Sequence, residues 1–359
     1  MTKNELAKTL INDSVRNLKG YHLEPENCAV KLNQNENPRD WPPEVKEKAA
    51  RFFVERPWNR YPNFIPDNLK KMLARYVDVD PCSVIVGNGS NEMLLVLFLS
   101  FAEKAKSVII CPPTFTVYRL LCDGLGMRAV SVGLDNDLQY DIGAIKKAVE
   151  ENPGAMLVLS SPNNPVGNTM SEDDFKDILD IHTGVCVLDQ AYAEFGGFDG
   201  TKLISAYPNL IVTRTFSKAM AAAGLRLGYM VGAADVIAEI NKIKLPYNIN
   251  FFTEHAATVI LDNTKIMEES VGMIISERDE LYEYLAALPF DNVYPSAANF
   301  ILVRTPQKQK LFDHLRDDSI LVRDVSSYPM LNDCLRIGVG TKDENAKLRE
   351  SMNIFFERE

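Results

Sequence analysis

Residues 212–232 read VTRTFSKAMAAAGLRLGYMVG. The stretch opens as an apolar strand ending at Thr215, passes through a Ser-Lys pair and a run of small residues, and turns apolar again from Arg226. One lysine, Lys218, is thereby set among alanines, Gly224 and a serine, where solvation is poor. Desolvation disfavours an ammonium and lowers its pKa, the condition a lysine needs to form a Schiff base with a carbonyl. Ser217 and Arg226 flank it with a hydroxyl and a cation, the partners an anionic group such as a phosphate wants. A surface lysine at a helix start would show the same Ser-Lys pair, so the surrounding pattern has to decide.

Outward from this stretch, short apolar strands alternate with amphipathic helices. SVIVG, SVIIC, RAVSV, AMLVLSS, VCVLD, LIVTRT and RLGYMVG read as buried strands, with helices over 92–103, 115–123, 142–150 and 172–181. Such alternation predicts a mostly parallel, doubly wound sheet covered on both faces, with ligands gathered at the carboxyl ends of its strands. Helices are also expected at 44–55 and 67–76, on either side of the proline-punctuated loop NRYPNFIPD. Beyond residue 232 the helical pattern lengthens through 274–288. Strands near 299–304, 320–323 and 334–339 with helices at 307–317 and 344–356 then form a smaller unit. The fold class is therefore α/β. Residues 1–40 are expected to form an N-terminal arm and part of a small domain, 41–250 a large ligand-binding domain, and 251–359 the small α+β domain. A chain of 359 residues is too long for one compact core and suits this division.

Composition narrows the class of function. Hydrophobic residues make up 46% and charged residues 25%, as in an ordinary globular protein. The net charge of -10 argues against nucleic acid or an anionic membrane as a partner, since either would want a basic face. The six cysteines are scattered without paired metal-ligand spacing, and most lie in or beside apolar runs, as reduced core thiols do. No metal is expected. The start is too polar for a signal peptide, and no apolar run is long enough to span a bilayer, so a cytoplasmic enzyme is expected.

Four further segments fall at expected strand ends. GNGSNE at 87–92 is a glycine turn opening a helix. Ser90 and Asn91 there either help bind a phosphate at the helix start or serve as its N-cap. In CPPTFTVY at 111–118, Phe115 either covers one face of a planar ligand or packs in the core. SSPNNPVGN at 160–168 is a rigid polar turn whose Asn164 can donate to a ring oxygen. In VLDQAYAEF at 187–195, Asp189 closes a buried strand and Tyr192 follows three residues on. A buried carboxylate needs a cation or several hydrogen bonds. A protonated pyridine nitrogen would serve, as would an arginine or lysine of the protein.

In this order and spacing the segments resemble the fold-type I pyridoxal-phosphate aminotransferases, specifically the histidinol-phosphate aminotransferase family. The resemblance runs from SVRNLKGY and LNQNENP through RYPN, GNGSNE, CPPTF, SPNNPVG, LDQAYAEF, TFSKAMAAAGLRLGY and PYNIN to SAANFILV and CLRIGVGT. It implies pyridoxal 5'-phosphate as cofactor, carried by Lys218 as a Schiff base. Asp189 would pair with the pyridine nitrogen, and Tyr192 and Asn164 would hydrogen-bond the phenolic oxygen. Ser90, Asn91, Ser217 and Arg226 would hold the phosphate, and Phe115 would stack on the ring. Tyr61 of RYPN would reach the site of a neighbouring subunit, which implies a homodimer. Arg336 would clamp the carboxylate of an amino acid or the phosphate of histidinol phosphate. Arg323 would add a second contact on the phosphate side, and Tyr21 would cover the site. The family usually has Glu after the aspartate, whereas this chain has Gln190, whose side chain strand alternation directs away from the ring.

The activity so implied is transamination of L-histidinol phosphate with a 2-oxo acid, 2-oxoglutarate, in histidine biosynthesis. Threonine-phosphate decarboxylases share the scaffold, and aromatic or broad-range aminotransferases are a further alternative that Arg323 speaks against. A pyridoxal-phosphate-dependent transcription regulator would need an appended DNA-binding domain, for which this acidic chain has no spare length. SVIVGNGSNE lacks the full dinucleotide fingerprint, which weakens a nucleotide-binding reading.

Overall fold

A computed structural model describes residues 6, 9–16, 18 and 27–358. Its strands, in chain order, are β1 Val30–Lys31, β2 Val84–Gly87, β3 Ser107–Ile110, β4 Arg128–Ser131, β5 Met156–Ser160, β6 Cys186–Asp189 and β7 Leu210–Thr215. They continue as β8 Gly228–Gly232, β9 Asn292–Tyr294, β10 Phe300–Arg304, β11 Ile320–Leu321, β12 Arg323–Asp324 and β13 Cys334–Gly338. A seven-stranded sheet has the order β2-β8-β7-β6-β5-β3-β4. Its neighbours pair in parallel except at β8, which runs antiparallel to both β2 and β7. The apolar runs of β2, β3, β5, β6 and β7 are buried along their whole length, because helices cover the sheet on both faces. The sheet is thus α/β and mostly parallel, as the alternation predicts.

The topology places the chemistry. Gly87, Ile110, Ser160, Asp189 and Thr215 end β2, β3, β5, β6 and β7, and each of the quoted polar segments follows one of these carboxyl ends. Register keeps them level: Ser160 is opposite Asp189, Asp189 is opposite Thr213, and Gly228 is opposite both Gly87 and Thr215.

A four-stranded antiparallel sheet, β12-β13-β10-β9, forms a second layer with the helices Lys308–Asp317 and Lys342–Arg358. β1 pairs in parallel with β11 and so carries the start of the described chain onto this unit. The helix Phe251–Leu261 packs its aromatic rings on the helix Pro43–Glu55, with Phe53 against both Phe251 and Phe252.

Differences from the sequence reading have local causes. The long helix spans Thr264–Ala286 and so begins ahead of the expected stretch. The helix Phe251–Leu261, FFTEHAATVIL, is apolar around most of its circumference and shows no single stripe to read. β1 is two residues long, too short to display alternation. Among the described residues, no helix is long and apolar enough to cross a membrane, and no group of His, Cys, Asp and Glu is placed to hold a metal ion. The six cysteines are free.

Candidate active site

The carboxyl ends of the large sheet and the edge of the small one enclose a cavity of about 400 Å³. Ser90, Asn91, Phe115, Asn164, Asp189, Tyr192, Ser217, Lys218, Arg226, Arg323 and Arg336 all line it. The fold thereby gathers eleven positions named from sequence that span Ser90 to Arg336.

Lys218 follows β7 across Phe216 and Ser217. Its Nζ donates to the Gln34 carbonyl at 2.9 Å and lies 5.8 Å from the centre of the Tyr192 ring. The side chain keeps part of its surface on the cavity, yet protein surrounds the ammonium. Burial pushes its pKa down from 10.5 to about 7, helped by the nearby Arg336 and Arg226 and opposed by Glu36. The desolvation has a different source from the one its sequence neighbours suggest. Gly224 is exposed with open space around it, and the segment at residues 33–36 closes over the amine instead.

Asp189 is 3% exposed. Its Oδ2 accepts from the Tyr118 hydroxyl at 2.6 Å and its Oδ1 from the Ala191 N–H at 3.1 Å. Burial raises its pKa, those two hydrogen bonds hold it down, and no lysine or arginine among the described residues contributes. The alternative of an ordinary ion pair to the protein is therefore not what the fold uses. The carboxyl group is buried at the cavity wall and has no cationic side chain beside it among the described residues.

At the other end of the cavity the helix Gly89–Ala105 points its first turn inward. Asn88 is its N-cap and makes no side-chain cap bond, so Ser90 and Asn91 are not caps but residues of the first turn. In contrast, Asp141 and Ser171 cap the helices Ile142–Glu151 and Glu172–Ile181 in the ordinary way. Arg226 has a left-handed φ of 52° and donates to Ser217 Oγ at 3.2 Å. A Cβ on Gly89 would lie 2.7 Å from its Nη2, and one on Gly228 would lie 2.2 Å from the Ser90 nitrogen. Only glycine at both positions lets the helix start, β8 and the guanidinium meet. A hydroxyl, a cation and a helix N-terminus then converge, an arrangement that favours an anion such as a phosphate.

These features fit pyridoxal 5'-phosphate, the group that the sequence resemblance implies. A protonated ring nitrogen is the cation Asp189 lacks, and the helix start with Ser217 and Arg226 answers a phosphate. Phe115, half-buried and edge-on to Tyr118, offers its ring as one wall.

The small sheet supplies the remaining cations. Arg336 is buried in β13, where Nη2 donates to the Asn33 carbonyl at 2.8 Å and Nη1 to Asn164 Oδ1, with the guanidinium over the Phe300 ring. Arg323 in β12 is its direct cross-strand partner. Tyr61 does not join the cavity. It is 77% exposed and stacks on Tyr247. Tyr21 lies outside the described residues. Gln190 is buried and absent from the cavity wall. Its Nε2 donates to the Phe198 carbonyl and its Oε1 accepts from Arg214 and the Gly200 N–H.

The structure adds residues that sequence reading passed over. Tyr118 binds Asp189 and lies in the first turn of the helix Thr116–Leu125, three residues beyond its N-cap Phe115, a spacing that CPPTFTVY displays. Asn33, Gln34 and Asn35 contact Arg336, Lys218 and Tyr192; they fall in LNQNENP, which carries part of the family resemblance, yet this Asn-rich segment gives none of them a role in the site.

Comparison with known proteins agrees with this geometry. The family aminotransferase class I and II matches residues 28–352. The chain is 37% identical over 345 residues to the histidinol-phosphate aminotransferase of Chlorobaculum parvum, covering 96% of this chain and 97% of that protein. It is 38% identical over 344 residues to the one from Chlorobium chlorochromatii, covering 95% of each. Among solved structures, the histidinol-phosphate aminotransferase of Sinorhizobium meliloti in complex with pyridoxal-5'-phosphate shares the fold with a TM-score of 0.87, at 23% identity and 98% coverage of both chains. The chain belongs to the histidinol-phosphate aminotransferase family of the class I and II aminotransferases.

Proposed function

We propose that the protein transfers the amino group of L-histidinol phosphate to 2-oxoglutarate, a step of histidine biosynthesis, using pyridoxal 5'-phosphate held in this cavity. The observation that carries the reading is the pairing of Arg323 with Arg336 across β12 and β13 at the wall of a cavity that also holds Lys218. Two cations placed directly opposite repel, and an anion between them relieves the repulsion. A phosphate dianion can engage both guanidiniums, whereas the carboxylate of glutamate needs one bidentate partner. The names of the curated relatives support the same substrate.

Each side chain then has a task. Asp189 keeps a proton on the ring nitrogen. Tyr192 and Asn164 serve the phenolic oxygen, and Asn164 also receives Arg336, which couples the substrate anion to the ring. Ser90, Asn91, Ser217 and Arg226 hold the phosphate, and Phe115 covers the ring. When bound, pyridoxal phosphate supplies an electron sink for the charge left on the substrate carbon. Lys218, about half of it unprotonated near pH 7, would take the proton from that carbon at Nζ and pass it to the far end of the electron sink rather than back to the substrate, which is what moves the amino group. The test is to mix purified protein and cofactor with histidinol phosphate and 2-oxoglutarate and measure glutamate. Carbon dioxide released from threonine phosphate, with no glutamate formed, would replace this reading with a decarboxylase.

A homodimer belongs to the same proposal. Tyr61 and Phe64 both pack on Tyr247, and all three rings are exposed, an apolar surface of the kind that a partner chain covers. Tyr61 is spare for a neighbour's cofactor phosphate because it is absent from its own cavity. Tyr61→Phe should weaken cofactor retention while dimers persist in sedimentation. An active monomer would contradict the arrangement. A cytoplasmic location is part of this reading and is supported by the six free thiols.

A further inference from the structure

Three consecutive residues of the segment at 33–35 each hold one functional side chain. The Asn33 carbonyl accepts from Arg336 Nη2 at 2.8 Å, the Gln34 carbonyl accepts from Lys218 Nζ at 2.9 Å, and Asn35 Nδ2 donates to the Tyr192 hydroxyl oxygen at 3.0 Å. The segment is anchored before it enters the site. The Leu32 N–H donates to the Leu321 carbonyl at 2.8 Å, and the Leu32 carbonyl accepts from the Gly338 N–H at 2.8 Å. A Cβ at Gly338 would stand 2.8 Å from that carbonyl oxygen, so the contact needs a glycine. Asn299 Nδ2 donates to the Asn35 carbonyl at 3.1 Å. Asn35 itself is 3% exposed and has φ of 54°, a left-handed conformation that Asn and Asp adopt more readily than most residues.

The direction of the Asn35 bond has a chemical consequence. A phenol has one O–H to donate and lone pairs to accept with. Asn35 fills a lone pair of Tyr192 and does not take its hydrogen. Its own Oδ1 is buried without a hydrogen-bond partner. Turning the amide over would let Oδ1 receive the Tyr192 O–H but would also put Nδ2, with two hydrogens to place, where Oδ1 now lies. The observed arrangement keeps that O–H available to the cavity.

We propose that Asn35 is a positioning residue for Tyr192: its amide donates to the phenol oxygen and so directs the Tyr192 O–H toward the phenolic oxygen of the bound cofactor. This rests on the reading of the cavity as a pyridoxal-phosphate site. An O–H given to that oxygen stabilises its negative charge and weakens its hold on a nearby proton. Losing the donor therefore keeps the proton to a higher pH.

Asn35→Asp preserves size and left-handed backbone but replaces the donor by an acceptor, which draws the Tyr192 O–H back. In the holoenzyme the pH midpoint of the visible cofactor band should move up, in the direction that Tyr192→Phe moves it, and cofactor affinity should fall about tenfold. Asn35→Asp also adds a carboxylate to the charges that bear on Lys218, namely Arg336, Glu36, Arg226 and Lys31, and that charge would raise the midpoint by itself. Asn35→Gly suits the positive φ, removes the amide without adding charge, and guards against a fold that rejects a buried carboxylate. It should give a smaller shift of the same sign, and that shift should vanish in the Tyr192→Phe background. An unmoved midpoint in Asn35→Gly, or a shift that adds in full to that of Tyr192→Phe, overturns the proposal. Wild-type protein that shows no visible band with pyridoxal phosphate would instead sink the cofactor assignment, so the two failures are told apart.

Discussion

Arg323 and Arg336 face each other across the β12–β13 pair, two cations on one face of the small sheet and both at the cavity wall. They differ in how the protein holds them. Arg336 is buried and tied to Asn33 and Asn164, whereas Arg323 is half-buried near the sheet edge. Arg336 should therefore matter to both substrates and Arg323 chiefly to the one with more charge. Arg323→Ala is expected to slow the half-reaction with histidinol phosphate about ten- to a hundredfold, as loss of a charge-assisted hydrogen bond does. The glutamate half-reaction should change much less. Single-turnover spectra with each substrate separate the two, and equal losses would leave Arg323 a pocket-shaping role only.

Asp189 predicts opposite effects on stability and rate. Its folded pKa is raised above the ordinary 3.8, so the folded cofactor-free protein binds more protons than the unfolded chain just above that value. Its contribution to stability falls as pH rises through this window and is unfavourable at pH 7. Asp189→Asn should raise the melting temperature of the cofactor-free protein at pH 7, with the Tyr118 hydroxyl turning to accept from the new amide. Turnover of the holoenzyme should fall about a hundredfold or more, since each pKa unit lost at the ring nitrogen is worth about 1.4 kcal/mol. A kinetically silent substitution would remove Asp189 from the cofactor site.

For Lys218 the sign is reversed in pH. The folded value of about 7 lies below 10.5, so the unfolded chain binds more protons between the two. Stability of the cofactor-free protein should rise with pH across that window and be lowest, by a constant amount, below pH 7. Lys218→Met should abolish turnover and flatten this slope, gaining on the order of a few kcal/mol at pH 7. Urea unfolding at pH 7 and pH 9.5 measures it. An unchanged slope would place the titration elsewhere.

Gly228 tests the phosphate end without touching a charged group. A methyl there would meet the Ser90 nitrogen at 2.2 Å, so Gly228→Ala has to push the helix Gly89–Ala105 off β8. Cofactor affinity should drop about tenfold or more, with a loss of 1–3 kcal/mol in stability from overpacking. Equilibrium dialysis against pyridoxal phosphate reads the first effect, and retention of wild-type affinity would mean that the helix start does not bind the phosphate.

Much of this molecule is written locally. The sheet, its parallel sense and the residues at its strand ends follow from apolar runs a few residues long, each closed by a polar turn, because a strand buried on both faces admits little else. Lys218, Asp189 and the residues of GNGSNE could be placed for that reason. Residues far apart in sequence carry no such signal. Tyr192 and Asn35 are 157 positions apart, Lys218 and Gln34 184, and Arg336 and Asn33 303. Nothing in an Asn-rich turning segment says which side chains it will meet, since its own period and composition are satisfied equally well on the surface. Gly224 shows the converse: sequence sets it beside Lys218, yet the folded chain leaves it in solvent. The strand-end motifs that carry Lys218 and Asp189, and their order along the chain, were legible in the sequence alone. Which residues of the site touch, and how the protons between them are directed, was decided by the docking of β1 onto β11 and of residue 32 onto Gly338, because only tertiary packing brings those backbones within hydrogen-bond reach.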